Sequence, residues 1–118
     1  MQLSQAILFV HDAARMQAFY EQLGLRAIEG DAASGFLRMA DPGGGAVLAI
    51  HFTKAIGPNT SPRMDTAIKL CFHVDDVVAE RAQLVARGVT AREIHTYGDA
   101  SYCDFVDPEG NIFQLTTR

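Results

Sequence analysis

The chain is short of several things, and each shortage excludes something. Cysteine occurs only twice in 118 residues, so at most one bridge is possible and a disulfide scaffold is excluded. A reduced compartment is the expectation for such usage. No stretch approaches the roughly 18 consecutive apolar residues of a membrane span. Lys and Arg number 10 against 14 Asp and Glu, a net charge of −4, with no basic run. Surfaces for nucleic acid or anionic membrane need clustered cations to meet phosphates, so neither partner is expected. The opening residues Met1-Gln2-Leu3-Ser4-Gln5 lack the basic and apolar regions of a signal peptide, and a cytoplasmic location is expected. Gly43-Gly44-Gly45 is not a phosphate loop: no Lys-Ser/Thr follows it and no helix begins there.

What the chain does have is a repeat. Val10-His11-Asp12 opens a helix-like stretch ending at Gly24-Leu25, and Val74-Asp75-Asp76 opens another ending at Gly88-Val89, offset by 64 residues. Each copy later reaches an Asp-Pro-x-Gly turn, Asp41-Pro42-Gly43-Gly44 and Asp107-Pro108-Glu109-Gly110, followed by an apolar run. Such turns suit Asp and Gly chemistry on their own; their recurrence in register with the helices is the signal. Apolar residues make up 48%, enough for one compact domain whose halves are each small.

The periodicities predict the elements. Ala6 to Val10 reads as a buried strand. Asp12 is a helix cap, with Met16, Phe19, Tyr20 and Leu23 forming one apolar stripe up to Gly24. Leu25 to Gly30, Phe36 to Ala40 and Ala46 to Phe52 read as strands between turn signals. The stretch from Thr53 to Thr66, with Gly57-Pro58-Asn59 and Ser61-Pro62, has neither period and reads as a connector. The second half repeats the order: a strand from Ile68 to Val74, a helix capped by Asp76, then strands Val89 to His95, Tyr102 to Val106 and Ile112 to Thr116. The expectation is an α+β fold, one domain over 1–118 built from βαβββ modules at 1–53 and 68–118 joined by a connector at 54–67. Leu8, Val10, Phe19, Tyr20, Leu23, Leu70, Phe72, Val74, Leu84, Phe113 and Leu115 are the expected core.

Paired βαβββ modules with Phe19-Tyr20-Glu21-x-Leu23-Gly24-Leu25 and Phe105-Val106-Asp107-Pro108-Glu109-Gly110-Asn111 resemble the vicinal oxygen chelate superfamily, the glyoxalase, bleomycin-resistance and extradiol dioxygenase group. The resemblance covers nearly the whole chain apart from the connector. It implies a curved mixed sheet around a cleft between modules, and a homodimer, since small relatives commonly pair and open sheet edges invite pairing. Metal-using relatives take ligands from the first and last strands of the modules. Strand alternation gives Gln5, Ile7 and Phe9, then Val47, Ala49 and His51, to the cleft from the first module. From the second it gives Lys69, Cys71 and His73, then Ile112, Gln114 and Thr116. The ligand positions implied by the resemblance fall on Gln5, Ala49, Lys69 and Gln114. One has no donor atom, one is a cation and two are neutral amides, so a divalent ion gains little there and no metal or other cofactor is expected.

The other cleft candidates each have a bland counterpart. Lys69 suits contact with an anionic or oxygen-rich ligand, or an ion pair with Asp or Glu of another strand. His51 and His73, with Cys71, suggest either a shifted metal site or strand-end histidines; Cys71 is otherwise a small buried hydrophobe. His11 and His95 sit near turns and face solvent. Tyr97, Asp99, Ser101 and Tyr102 in a Gly-containing loop suit recognition of a flat organic ligand, or a packed turn. Arg63-Met64 in the connector either reaches over a partner's cleft or is plain surface. The functional expectation is a metal-independent binder of a small organic molecule, held by Gln5, Phe9, Ala49, His51, Lys69, Cys71, His73, Tyr97, Tyr102 and Gln114. The alternatives are a lyase, isomerase, transferase or dioxygenase-like enzyme with a relocated metal or Lys69 as base, and a paralogue with a filled cleft that binds protein.

Overall fold

The computed structural model describes residues 1–55 and 68–118. Most of the expected connector, including Gly57-Pro58-Asn59, Ser61-Pro62 and Arg63-Met64, lies outside the described residues. The chain divides into two compact units, Met1–Asn59 and Thr60–Arg118. The first runs β1 Gln5–Val10, α1 Ala13–Gln22, β2 Arg26–Asp31, a 3-10 turn, β3 Phe36–Ala40 and β4 Val47–Phe52; the second runs β5 Leu70–His73, α2 Val77–Ala86, β6 Thr90–Tyr97, β7 Ala100–Val106 and β8 Ile112–Thr116. Each unit is therefore a βαβββ module, and the α+β expectation is met.

The two sheets have the same wiring. Their strand orders are β1-β4-β3-β2 and β5-β8-β7-β6, and the first strand of each module pairs parallel with its last while the other pairs are antiparallel. A parallel pair needs a crossover; here the helix supplies it before the chain returns by two antiparallel steps.

Local chemistry starts and stops both helices in the same way. The Asp12 and Asp76 carboxylates accept the backbone N–H of Arg15 and Ala79, each at 3.0 Å, capping donors the helix cannot satisfy itself. At the far ends Leu25 N–H reaches Tyr20 O (3.2 Å) and Val89 N–H reaches Leu84 O (3.0 Å), while Gly24 and Gly88 donate to Glu21 and Val85. This double bond pattern needs a left-handed residue just past the helix, and Gly24 (φ 100°) and Gly88 (φ 86°) supply it.

The outer edges are also treated alike. β2 carries a bulge between Ala27 and Glu29 against β3, and β6 carries one between Ala91 and Ile94 against β7. A bulge twists an edge away from further pairing. In the second module the Arg92 carbonyl inside the bulge accepts from Arg81 Nε of α2 at 2.9 Å and from the Cys103 thiol at 3.4 Å, so the irregularity is bonded to the helix and to β7.

Each core lies between helix and sheet. Val10, Met16, Tyr20, Leu37, Met39 and Ile50 are fully buried in the first module, and Val77, Cys103, Phe105 and Phe113 in the second, with Leu84 and Leu115 close behind. Phe113 is stacked with Phe105 at 5.4 Å and meets Phe72 edge-on at 5.8 Å. Several expected core residues, Leu8, Leu70, Phe72 and Val74, are only half-buried. They belong to β1 and β5 or their continuation, edge strands covered by a neighbour on one side only; Leu23, at the helix end, is half-buried for a similar reason. The buried residues not expected in the core come mainly from the helices, as Met16 and Val77 do, and from inner strands, as Leu37, Met39, Ile50, Cys103 and Phe105 do.

Candidate functional site

Alternation and burial place α1 on the Leu37, Met39, Leu48 and Ile50 side of the first sheet, and leave the other face free of helix. On that free face the register builds rows across the strands. Phe9, His51 and Phe36 are successive partners on β1, β4 and β3, and Ile7, Ala49, Arg38 and Glu29 form the next row. The first row is aromatic: the His51 ring lies 5.6 Å from Phe9 and 5.5 Å, edge-on, from Phe36. In the second, Ala49 is fully buried, a small floor between larger neighbours. Arg38 Nε donates to Gln5 Oε1 at 3.0 Å and Nη1 to Glu29 Oε2 at 2.7 Å.

The corresponding face of the second module is polar. His73, Thr116, Tyr102 and His95 form one row and Cys71, Gln114 and Asp104 the next. Asp104 is the hub: its Oδ2 accepts from Lys69 Nζ at 2.9 Å and its Oδ1 from Gln114 Nε2 at 2.9 Å. The Cys71 thiol lies 3.8 Å from Gln114 Oε1. Lys69, just before β5, therefore reaches across β8 to its ion pair on β7. His73 is exposed and faces Asp75 at 3.6 Å.

Other candidates lie differently from the expectation. Cys71 is exposed and it is Cys103 that is buried, because β5 is an edge strand and Cys103 sits on the helix side of β7. Burial is the main reason the Cys103 thiol is pushed above its ordinary value, with Arg81 pulling it partly back; a thiolate nucleophile is not available there. Ile112 alternates onto the same face as Gln114, as expected, and is buried there. The supposed loop from Tyr97 to Tyr102 is a tight hairpin: β6 ends at Tyr97, β7 begins at Ala100, and only Gly98-Asp99 turn between them. Gly98 takes a positive φ of 61°, which suits the first central position of a two-residue hairpin turn. Tyr97 is exposed at the tip, and Tyr102 lies on the sheet opposite His95. Tyr97, Gly98, Asp99, Ala100, Thr117 and Arg118 surround a cavity of about 440 Å³.

Arg38, Glu29, Phe36 and Asp104 were not among the expected site residues. Arg38 and Asp104 were legible as the single charge inside Leu37-Arg38-Met39 and Cys103-Asp104-Phe105, where alternation sends a charge away from the core. Glu29 was hidden by the bulge, which shifts parity.

The donor set at the ligand positions that the resemblance implies does not fit a divalent ion. Gln5 Oε1 already accepts from a guanidinium, Ala49 has no donor, Lys69 is a cation, and Gln114 donates to Asp104. Among the described residues no three His, Cys, Asp or Glu side chains converge in a way that would hold a metal. Nor, among them, is any helix long and apolar enough to cross a membrane.

Duplicated βαβββ modules of this wiring, with capped helices and an Asp-Pro-x-Gly-Asn turn before the last strand, define a recognisable class. The Glyoxalase/Bleomycin resistance protein/Dioxygenase superfamily profile matches residues 2–115, and the chain belongs to that superfamily. Among solved structures it is similar to SMU.1112c at 26% identity, covering 98% of each chain with a TM-score of 0.72. It is also similar to TnmS3, an antibiotic binding protein from Streptomyces sp. CB03234, at 23% identity over 98% of this chain and 94% of that one, TM-score 0.71. A third likeness is FosX, a genomically encoded fosfomycin resistance protein from Listeria monocytogenes complexed with Mn(II), at 18% identity over 98% and 89%, TM-score 0.75. No curated protein matches the chain.

Proposed function

We propose that the protein is a metal-independent binder of a small organic molecule, taken up on the helix-free faces of its modules. Similar folds serve both an antibiotic binding protein and a Mn(II)-containing resistance protein, so the fold alone does not choose. The observation that carries the choice is the state of the ancestral ligand positions. Gln5, Lys69 and Gln114 are each bonded to a charged residue of another strand of the same sheet, Arg38 on β3 or Asp104 on β7. Freeing them for a metal would break those bonds and bring a cation against Lys69.

Native mass spectrometry of freshly purified protein tests this directly. The expected spectrum shows a dimer of the 12.8 kDa chain, no stoichiometric metal, and a retained or titratable organic molecule. Near-stoichiometric Zn, Mn, Fe or Ni that disappears in His51→Ala or His73→Ala would establish the relocated-metal enzyme instead.

A further inference from the structure

We propose that the helix-free face of the first module takes an uncharged planar ring system bearing a carbonyl oxygen, its rings against Phe9, His51 and Phe36 and its oxygen toward Arg38. The inference names the ligand class for the binding function proposed above and rests on it. The rings of Phe9, His51 and Phe36 sit on three adjacent strands with neighbouring centroids 5.5–5.6 Å apart. At about 4.8 Å between strands, they make a platform roughly 10 Å across. Phe9 is 48% exposed and Ile7 beside it 47%, so apolar surface is left in water on this edge of the platform. A flat ring removes that surface from water and gains offset or edge-on ring contacts.

The polar group lies one row away. Arg38 follows Phe36 by two residues, roughly 7 Å along β3. Its Nε and Nη1 are bonded to Gln5 and Glu29, and Nη2 has no partner among the described residues. A guanidinium only donates, so the ligand atom that meets it is an acceptor. The charge of Arg38 is already balanced by Glu29 at 2.7 Å. Asp31, at the β2 end of the aromatic row, turns its carboxylate to the Ser34 N–H at 2.7 Å. A ligand anion would face both carboxylates, and a cationic group in place of the oxygen would leave the Arg38 Nη2 donors with nothing to accept them. A neutral carbonyl meets neither penalty, which selects an aromatic ketone, lactone or quinone over a charged ring.

The test titrates the intact protein with coumarin, a neutral bicyclic lactone, and with coumarin-3-carboxylate and N-methylquinolinium as planar anion and cation, following the ring-proton NMR signals of Phe9, Phe36 and His51. Coumarin is expected to bind about tenfold more tightly than either ion, and Phe9→Ala to weaken it by a similar factor. Arg38→Met should weaken coumarin while leaving binding of naphthalene, which lacks the carbonyl, unchanged. Phe9 lies at an exposed edge, so its variant tests the platform even if Arg38→Met is unstable. Tighter binding of either ion, or shifts confined to the second module, overturns the ligand class and leaves the binding function standing. If no compound in these or a broad library moves any resonance, the binding function falls and the inference with it.

Discussion

The two modules share a backbone and differ in what they do with it. Helix caps, helix ends, strand order and even the bulges on β2 and β6 recur at matching places. The helix-free faces do not match. In the first module the row across β1, β4 and β3 is Phe9, His51 and Phe36; in the second the row across β5, β8, β7 and β6 is His73, Thr116, Tyr102 and His95. Arg38 and Asp104 hold equivalent places on β3 and β7 with opposite charge, Arg38 bonded to Gln5 at the start of β1 and Asp104 to Lys69 just before β5. Scaffold positions are constrained in both copies because backbone bonds must be satisfied in both. The free faces carry no such constraint and have diverged, which is why function is sought there.

The sharpest contrast is the Asp-Pro turn, and breaking it should give the largest difference between modules. Asp107 is buried, its Oδ1 accepting from Glu109 N, Asn111 N and Asn111 Nδ2 and its Oδ2 from Asn111 Nδ2 again. Asp41 is exposed, and among the described residues its carboxylate accepts from Gly43 N alone. Asp107→Ala should cost about 3 kcal/mol, since it strands several partly buried donors. Asp41→Ala should cost under about 0.5 kcal/mol. Urea unfolding of both variants checks this, and equal losses would erase the distinction.

The charged hubs should differ less. The Lys69–Asp104 pair has side-chain exposures of 34% and 19%, against 32% and 61% for Arg38–Glu29. Lys69→Met is expected to cost about 1–2 kcal/mol, because Asp104 loses a charge-assisted bond in a half-buried place. Glu29→Gln should cost under about 1 kcal/mol, as exposed pairs do. The helix caps should not differ at all: Asp12→Ala and Asp76→Ala are each expected to lose about 1 kcal/mol, and thermal melts that separate them would show that the modules are less alike than their bonds. The smallest effect is chemical. Iodoacetamide should label Cys71 alone in the folded protein and both thiols once it is unfolded, as intact mass will show. The raised Cys103 value has a sign. The unfolded thiol ionises first, so stability declines as pH rises through the ordinary thiol range and is unaffected below it.

Most of the scaffold was legible because it rests on short-range chemistry. Asp caps, glycines past helix ends and alternation on Phe36–Ala40 and Ile112–Thr116 are patterns within a few residues, and both strands lie where they were expected. The hairpin at Gly98-Asp99 was misjudged as a longer loop, although a Gly at the first position of a two-residue turn was there to be read. The candidate site was only partly legible. Alternation placed Gln5, Phe9, His51, Lys69 and Gln114 on free faces, yet Lys69 was weighed toward a ligand when its partner Asp104 lay 35 residues on. Edge position misled as well: Leu70 and Phe72 were expected in the core, but strand order, not local pattern, made β5 an edge.

By itself the sequence determined a duplicated βαβββ scaffold and its helix boundaries, because each depends on residue identity and on spacing within one element. Tertiary structure decided which strands are edges, that Arg38 takes Gln5 and Glu29, and that Asp104 joins Lys69 to Gln114. Those outcomes depend on strand order and register, which bring distant residues within hydrogen-bond reach and which no local pattern encodes.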